Sequence, residues 1–384
     1  MDTGLEVRLP AVDRPALTGP VRRLLRSETV EVDDWFGARI HGGANLDGTG
    51  VYRFAGSGRD GGGPVQWSVI LKTLGVVHDQ MGDFVGREAL AYRDGLLEDL
   101  PGGVRAPRCL GIVEQPGTGG WIWLEDVQDA IGPSWPLAHY GVVARHLGRF
   151  NGAYLVGQLL PPQPWLSSGW LRRWVEQAAD GIAALPWALD HPLVRRLCPP
   201  ALADAYLQLW AGRERFFVAL DALPRTFCHN DAFRRNMFAQ RTADGQDETV
   251  LIDWSFTGIC AVGEELAPLV RASVAFFEVA PADEAELDRI VFDGYLAGLR
   301  EAGWRGDAQL ARFGYVAATV LRYGVGVVGL LLGVVLDDGM RAWSEQAMGR
   351  PLEEMVELWS ASVPYEFALI NEAWALLDAH GTAL

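Results

Sequence analysis

Phe227-Cys-His-Asn-Asp-Ala-Phe-Arg-Arg-Asn-Met-Phe238 is followed by a polar turn, Thr242-Ala-Asp-Gly-Gln-Asp-Glu248, and then by Val250-Leu-Ile-Asp-Trp-Ser-Phe-Thr-Gly258. The apolar pieces Met237-Phe238 and Val250-Leu-Ile252 flank a turn rich in Asp and Gly, which is the signature of a β-hairpin. A polar loop leads into the first strand, and Asp253 closes the second. Any one of His229, Asp231, Asn236 and Asp253 fits an ordinary polar turn or a strand-end cap. Four of them at this spacing around one hairpin do not.

The pattern His229-x-Asp231-x-x-x-x-Asn236, with Asp253 beyond it, has the spacing of a catalytic loop that moves a phosphoryl group. That chemistry needs a carboxylate to receive or orient an acceptor hydroxyl, and Asp231 is the candidate. It needs hard oxygen ligands for Mg²⁺, which prefers carboxylates and carbonyls; Asn236 and Asp253 offer them. His229 is read as a brace for the loop, holding it by hydrogen bonding.

The stretch resembles the aminoglycoside phosphotransferase and choline kinase group, small-molecule kinases with a protein-kinase-like fold. Members carry His-Gly-Asp-(Leu/Phe)-His-x-x-Asn here, then Ile-Asp-(Trp/Phe). In this chain Asn230 replaces the Gly, Ala232 the Leu or Phe, and Phe233 the second His. The base and metal positions are intact, so the departures touch loop packing more than the reaction. The resemblance implies an α+β fold with a small antiparallel β-sheet N-terminal lobe and a larger, mostly helical C-terminal lobe. It also implies ATP and Mg²⁺ as cofactors, with ATP between the lobes. The expected division is residues 1–126 for the nucleotide-binding lobe with its leader helix, and 127–384 for the catalytic loop and acceptor site.

Working outward towards the N-terminus, Trp67-Ser-Val-Ile-Leu-Lys-Thr73 alternates, with Trp67, Val69 and Leu71 on one face and Ser68, Ile70 and Lys72 on the other. Read from the strand alone, Lys72 is either a solvent-facing edge lysine or the lysine that reaches the α- and β-phosphates. The second role requires a helical Glu. Gly86 to Glu98 supplies two, of which Glu88 matches the Arg-Glu-Ala segment of many relatives and is preferred over Glu98 near the helix end. The turn His41–Gly50, with Gly48 and Thr49, lies between two strand-like pieces where backbone N–H groups can approach phosphate oxygens closely. Leu124-Glu-Asp-Val127 resembles the family's hinge, whose backbone meets the adenine edge; the side chains of Glu125 and Asp126 are not needed for that.

Composition narrows the alternatives. A chain of 384 residues with 49% hydrophobic content can build two cores. Its 33 basic and 49 acidic residues give a net charge of −16, which argues against nucleic acid as a partner. The four cysteines form no C-x-x-C pair and are read as free thiols. Asp2, Glu6, Arg8 and Asp13 break up the start, so neither a signal peptide nor a membrane partner is expected and a cytoplasmic protein is. The most apolar run, Tyr323–Leu336, is shorter than the roughly 18 residues of a membrane span and is read as a buried helix. Oligomeric state is left open by the sequence.

Downstream of the hairpin, Gly258-Ile-Cys-Ala-Val-Gly-Glu-Glu-Leu-Ala267 resembles the family's Gly-x-Asp-Leu-Ala segment, with Glu265 where an Asp is usual. Only about ten residues separate it from Asp253, with no A-P-E motif, which counts against a protein substrate. The partner is therefore a small-molecule hydroxyl acceptor, with aminoglycosides or amino sugars favoured. The basis is a set of acidic residues in the C-terminal half: Glu264, Glu265, Glu278, Asp283, Glu284, Glu286, Asp288, Asp337 and Asp338. A metabolic sugar, choline or homoserine-type kinase is the alternative acceptor class. A non-catalytic nucleotide-binding protein is the alternative of another kind, and the presence of Lys72, Asp231, Asn236 and Asp253 together speaks against it.

Overall fold

The computed structural model describes residues 9–40, 50–74, 86–115 and 119–381. Among the described residues ten strands are formed: β1 (Glu31–Arg39), β2 (Gly50–Asp60), β3 (Gly63–Leu74), β4 (Val104–Arg105), β5 (Cys109–Gln115), β6 (Gly119–Glu125), β7 (Arg225–Cys228), β8 (Met237–Arg241), β9 (Asp247–Leu251) and β10 (Gly258–Ala261). They make a five-stranded sheet in the order β1-β2-β3-β6-β5, a three-stranded sheet β4-β9-β8 and a pair β10-β7. The chain divides into two compact units. One comprises Met1–Leu100, Arg105–Ala130 and Phe238–Ser255; the other comprises Pro101–Val104, Ile131–Met237 and Phe256–Leu384.

The first unit is built on the five-stranded sheet, all of whose pairings are antiparallel. The alternation read in β3 is its burial pattern: Trp67, Val69 and Leu71 are buried in one core with Tyr52, Phe54, Leu110 and Trp123. Helix α1 (Arg14–Leu25) closes that face with Leu17 and Val21. Asp13 starts the helix by accepting the Ala16 N–H at 2.9 Å, the usual service of an N-cap carboxylate. Each large side chain so buried contributes about 1.5–3 kcal/mol, enough to hold the register of β3. The opposite face carries Ile70, Ile122 and Leu124, covered by Ala89 and Tyr92 of helix α2 (Arg87–Arg93). The helix expected to reach Glu98 ends at Arg93, because Gly95 takes a left-handed φ of 69°.

The second unit is mostly helical. Helix α3 (Leu137–Leu155) lies against the helix Glu284–Glu301 along a seam of glycines. A Cβ at Gly148 would sit 2.1 Å from the Tyr295 carbonyl oxygen, so only glycine permits this approach. The closeness places Asn151 of α3 beside β7, where its Nδ2 donates to the Phe227 carbonyl at 2.9 Å while its Oδ1 accepts the Tyr295 hydroxyl at 2.8 Å. Thr226 Oγ1 donates to the Asn151 carbonyl at 2.8 Å. The strand that delivers the His229–Asn236 loop is thus anchored to the best-packed helix pair of the unit.

The apolar run Tyr323–Leu336 is part of a longer helical path, Ala308–Leu336. It is the one described helix of a length and hydropathy that could cross a membrane, and 56% of its most apolar window is buried in the protein. The path is not uniform: a π-turn at Val320–Gly324 and a 3₁₀ turn at Val325–Val327 interrupt it. Gly324 allows the turn to pass against Tyr206 and Glu366.

Candidate active site

In the first unit, Lys72 lies on a central strand of the sheet, paired with Val51 on one side and Ile122 on the other. It is no edge lysine. Its Nζ donates to Glu88 Oε2 at 2.5 Å and to Asp253 Oδ1 at 2.7 Å, with 17% of the side chain accessible and only 1% of Glu88. Burial opposes the Lys72 cation, but the carboxylates of Asp253 and Glu88 outweigh it and hold its pKa above that of an ordinary lysine. Glu88 is raised by burial despite Lys72. The ammonium stays charged, because one cation faces two carboxylates.

Asp253 follows β9 at a left-handed corner, φ 63°, a conformation that Asp tolerates better than most residues. Ser255 Oγ donates to the same Oδ1 at 2.7 Å. The corner is fastened from both sides: Trp254, fully buried, donates its indole N–H to the Leu251 carbonyl, and Arg87 Nη1 donates to the Ser255 carbonyl, each at 2.9 Å.

Leu124, one residue before the end of β6, packs under α2, and Val127 is buried. The Glu125 carboxylate accepts from the Arg108 backbone N–H at 3.0 Å and pairs with Arg105 at 3.2 Å. Asp126 accepts from Ser68 Oγ at 2.5 Å and Arg53 Nε lies 2.8 Å from it. Both side chains are taken up inside this unit. Gly48 and Thr49 lie outside the described residues.

In the second unit, β7 pairs with β10, Cys228 opposite Gly258, and the chain then turns through Asn230 at φ 65°. His229 is fully buried, and its Nδ1 accepts the Asp231 backbone N–H at 3.1 Å. Asn236 Nδ2 donates twice to Asp231, to the carbonyl oxygen and to carboxylate Oδ2, each at 3.0 Å. Asn236 Oδ1 is left as the remaining acceptor of that amide. The other Asp231 carboxylate oxygen, Oδ1, accepts from Arg322 Nη2 at 2.8 Å.

Glu265 underlies the loop. Its carboxylate accepts the backbone N–H of His229 at 2.8 Å and of Asn230 at 2.9 Å. Burial pushes its pKa up to about 7, against the lowering effect of those two N–H groups. Sequence reading placed Glu265 in the family's segment without this task. Arg322, Asn151 and Ser255 it did not single out, although Arg322 is a lone charge inside an apolar run, a signal in itself.

The nine acidic residues of the C-terminal half do not form one surface. Glu264 accepts the Ala261 N–H at 2.7 Å, Glu278 pairs with Arg235 at 2.9 Å, and Asp288 with Arg312 at 2.7 Å. Glu284 pairs with Arg271, and Asp337 caps the helix Asp338–Met348 through the Met340 N–H at 2.8 Å. Asp283, Glu286 and Asp338 are exposed. The carboxylates of Glu264, Glu265, Glu278, Glu284 and Asp288 are thus taken up by partners within the unit.

Among the described residues no three His, Cys, Asp or Glu side chains cluster as a metal site. Mg²⁺ does not need such a cage, since it is held by one or two protein oxygens plus substrate phosphates. The Asn236 amide oxygen in the second unit and the Asp253 carboxylate in the first are each a hard oxygen donor.

An antiparallel N-terminal sheet with one lysine–glutamate pair, followed by a mostly helical region, defines a kinase-like fold. The chain matches the model of APH, the phosphotransferase enzyme family, over residues 88–308, more than half its length, and it belongs to that family. Among solved structures, an aminoglycoside phosphotransferase from Alicyclobacillus acidocaldarius is 12% identical, with a TM-score of 0.54 and 99% of each chain covered. A GDP complex of a variant of aminoglycoside 2'-phosphotransferase-IIIa is 12% identical, TM-score 0.50, covering 93% of this chain and 100% of that one. A choline/ethanolamine kinase family protein from Mesorhizobium loti is 15% identical, TM-score 0.45, covering 85% and 92%. No curated protein matches the sequence.

Proposed function

We propose that this phosphotransferase moves the γ-phosphoryl group of ATP to a hydroxyl of a small polar molecule. The observation that carries the reading is Lys72, a partly buried cation held jointly by Glu88 of α2 and by Asp253 after the hairpin. A lysine pinned in that way is ready to meet phosphate oxygens without reorganising.

Asp231 is the group that receives or orients the acceptor hydroxyl, its carboxylate fixed by Asn236 while 17% of the side chain stays accessible. His229 and Glu265 hold the backbone of the loop. Asn236 and Asp253 are the residues that would hold Mg²⁺. When bound, the ion neutralises charge on the phosphoryl oxygens; the chain's own residues orient and deprotonate the acceptor. Gly48 and Thr49 are proposed for the triphosphate and the backbone of 124–127 for the base. Most of the acceleration then comes from positioning and charge neutralisation.

The acceptor is a hydroxylated polar molecule. Aminoglycosides and amino sugars remain the first compounds to try on family grounds, beside neutral sugars, choline and homoserine. The test is ADP release from ATP and Mg²⁺ across that panel. Acceptor-dependent ADP release with one of these compounds supports the reading; ATP binding without turnover on any of them favours a non-catalytic nucleotide-binding protein.

A further inference from the structure

Arg322 is only 6% exposed, yet it sits in a helix where its neighbours Val320, Leu321 and Val325 are fully buried. Its guanidinium points across the unit to the loop residues. Nη1 donates to the Asn230 carbonyl at 2.5 Å and Nη2 to Asp231 Oδ1 at 2.8 Å. Trp170 lies beneath the guanidinium at 4.5 Å from ring centroid to Cζ, with Tyr323 at 5.0 Å and Phe256 at 5.7 Å. The Arg322 carbonyl accepts from Trp174 Nε1 at 3.3 Å, which fixes the turn itself. The residue occupies the π-turn Val320–Gly324, a local departure from helix geometry that is enriched at functional sites.

The two bonds fall on consecutive residues. Asn230 is the left-handed corner of the loop and Asp231 is the next side chain. A planar fork with several donors can hold a carbonyl and a carboxylate at once; a lysine cannot reproduce that geometry. Together with Asn236 on Oδ2, Arg322 on Oδ1 leaves the carboxylate one orientation. The aromatic rings replace water around the cation, so the fork does not wander.

We propose that Arg322 is a positioning residue for phosphoryl transfer: it locks the Asp231 carboxylate and the Asn230 corner in the orientation in which Asp231 meets the acceptor hydroxyl. The inference rests on Asp231 being the acceptor-facing base. It makes the π-turn of the 308–336 helical path part of the catalytic apparatus.

A double-mutant cycle tests it, because groups that act as one unit are non-additive. Arg322→Met, Asp231→Asn and the double variant are compared with wild type for kcat, and for ATP Kd by calorimetry. The expected result is a loss of roughly 10–100-fold in kcat for Arg322→Met, with ATP Kd within about twofold, and less than about twofold further loss when Asp231→Asn is already present. Arg322→Lys, which keeps the charge and the stem, guards against a folding defect and is expected to show the same non-additive loss. Equal losses in both backgrounds, or full kcat in Arg322→Lys, would overturn the proposal while leaving Asp231 as the base. Wild-type turnover in Asp231→Asn alone would overturn the base assignment, and this proposal with it.

Discussion

Asn236 directs both hydrogens of its amide at Asp231, one to the carbonyl oxygen and one to carboxylate Oδ2, each at 3.0 Å. The contact does two things. It sets the carboxylate relative to its own backbone, and it leaves the amide oxygen as the acceptor on Asn236. A residue proposed as a metal ligand and a residue proposed as a base are thereby parts of one rigid arrangement.

Asn236→Leu removes both the brace and the oxygen. The expected outcome is a fall in kcat of at least tenfold together with a raised Mg²⁺ requirement, read from turnover over a Mg²⁺ titration. An unchanged Mg²⁺ dependence would remove Asn236 from the metal site.

Lys72→Met leaves Glu88 buried beside Asp253 with no cation between them. Breaking a buried pair from one side costs about 3–5 kcal/mol, and the phosphates lose their counter-charge. We expect a lower unfolding temperature and at least tenfold weaker ATP binding; Glu88→Gln, which leaves Lys72 paired with Asp253, is expected to weaken both less. Thermal unfolding with and without ATP distinguishes the two, and equal behaviour of the two variants would contradict the pairing.

Asp253→Ala tests the metal from the other side. ATP affinity is measured by calorimetry with and without Mg²⁺, and the wild type is expected to bind more tightly with the ion. The variant should bind ATP equally with and without it. If both proteins gain equally from Mg²⁺, Asp253 is not a ligand.

Glu265 links the loop to pH. Its folded pKa of about 7 lies above that of an unfolded Glu near 4.5, so between those values the folded state binds more protons and stability falls as pH rises. Below about 4.5 both states are protonated, and above about 7 both are ionised, so the change is confined to that window. Its full size is on the order of 3 kcal/mol. Glu265→Gln carries no such change, so in urea unfolding the variant should gain on the wild type by about 1–3 kcal/mol between pH 5 and pH 8. A constant difference across that range would contradict the raised pKa.

Much of this site was legible in local patterns. Period-2 burial put Lys72 on the face opposite Trp67, Val69 and Leu71, and that is the face α2 covers. The spacing from His229 to Asn236 located the loop because loop chemistry is local in sequence. Arg322 was not legible in the same way: it reaches Asp231 from 91 positions away, across a contact that only tertiary packing creates. The pairing of several of the acidic residues was hidden for the same reason. A carboxylate in a sequence carries no sign of whether an arginine such as Arg271 or Arg312 is folded against it. The 323–336 run read as short because its helix begins at Ala308, where the polar residues Gln309 and Arg312 obscure the apolar pattern.

The most direct measurement is acceptor-dependent transfer of label from γ-labelled ATP, run on wild type and Asp231→Asn side by side, with ATP Kd measured on both. A positioned base contributes about 10²–10⁴-fold. The account predicts labelled acceptor with wild type, a loss of that size in the variant, and ATP binding within about twofold. Labelled product at the wild-type rate from Asp231→Asn would contradict it.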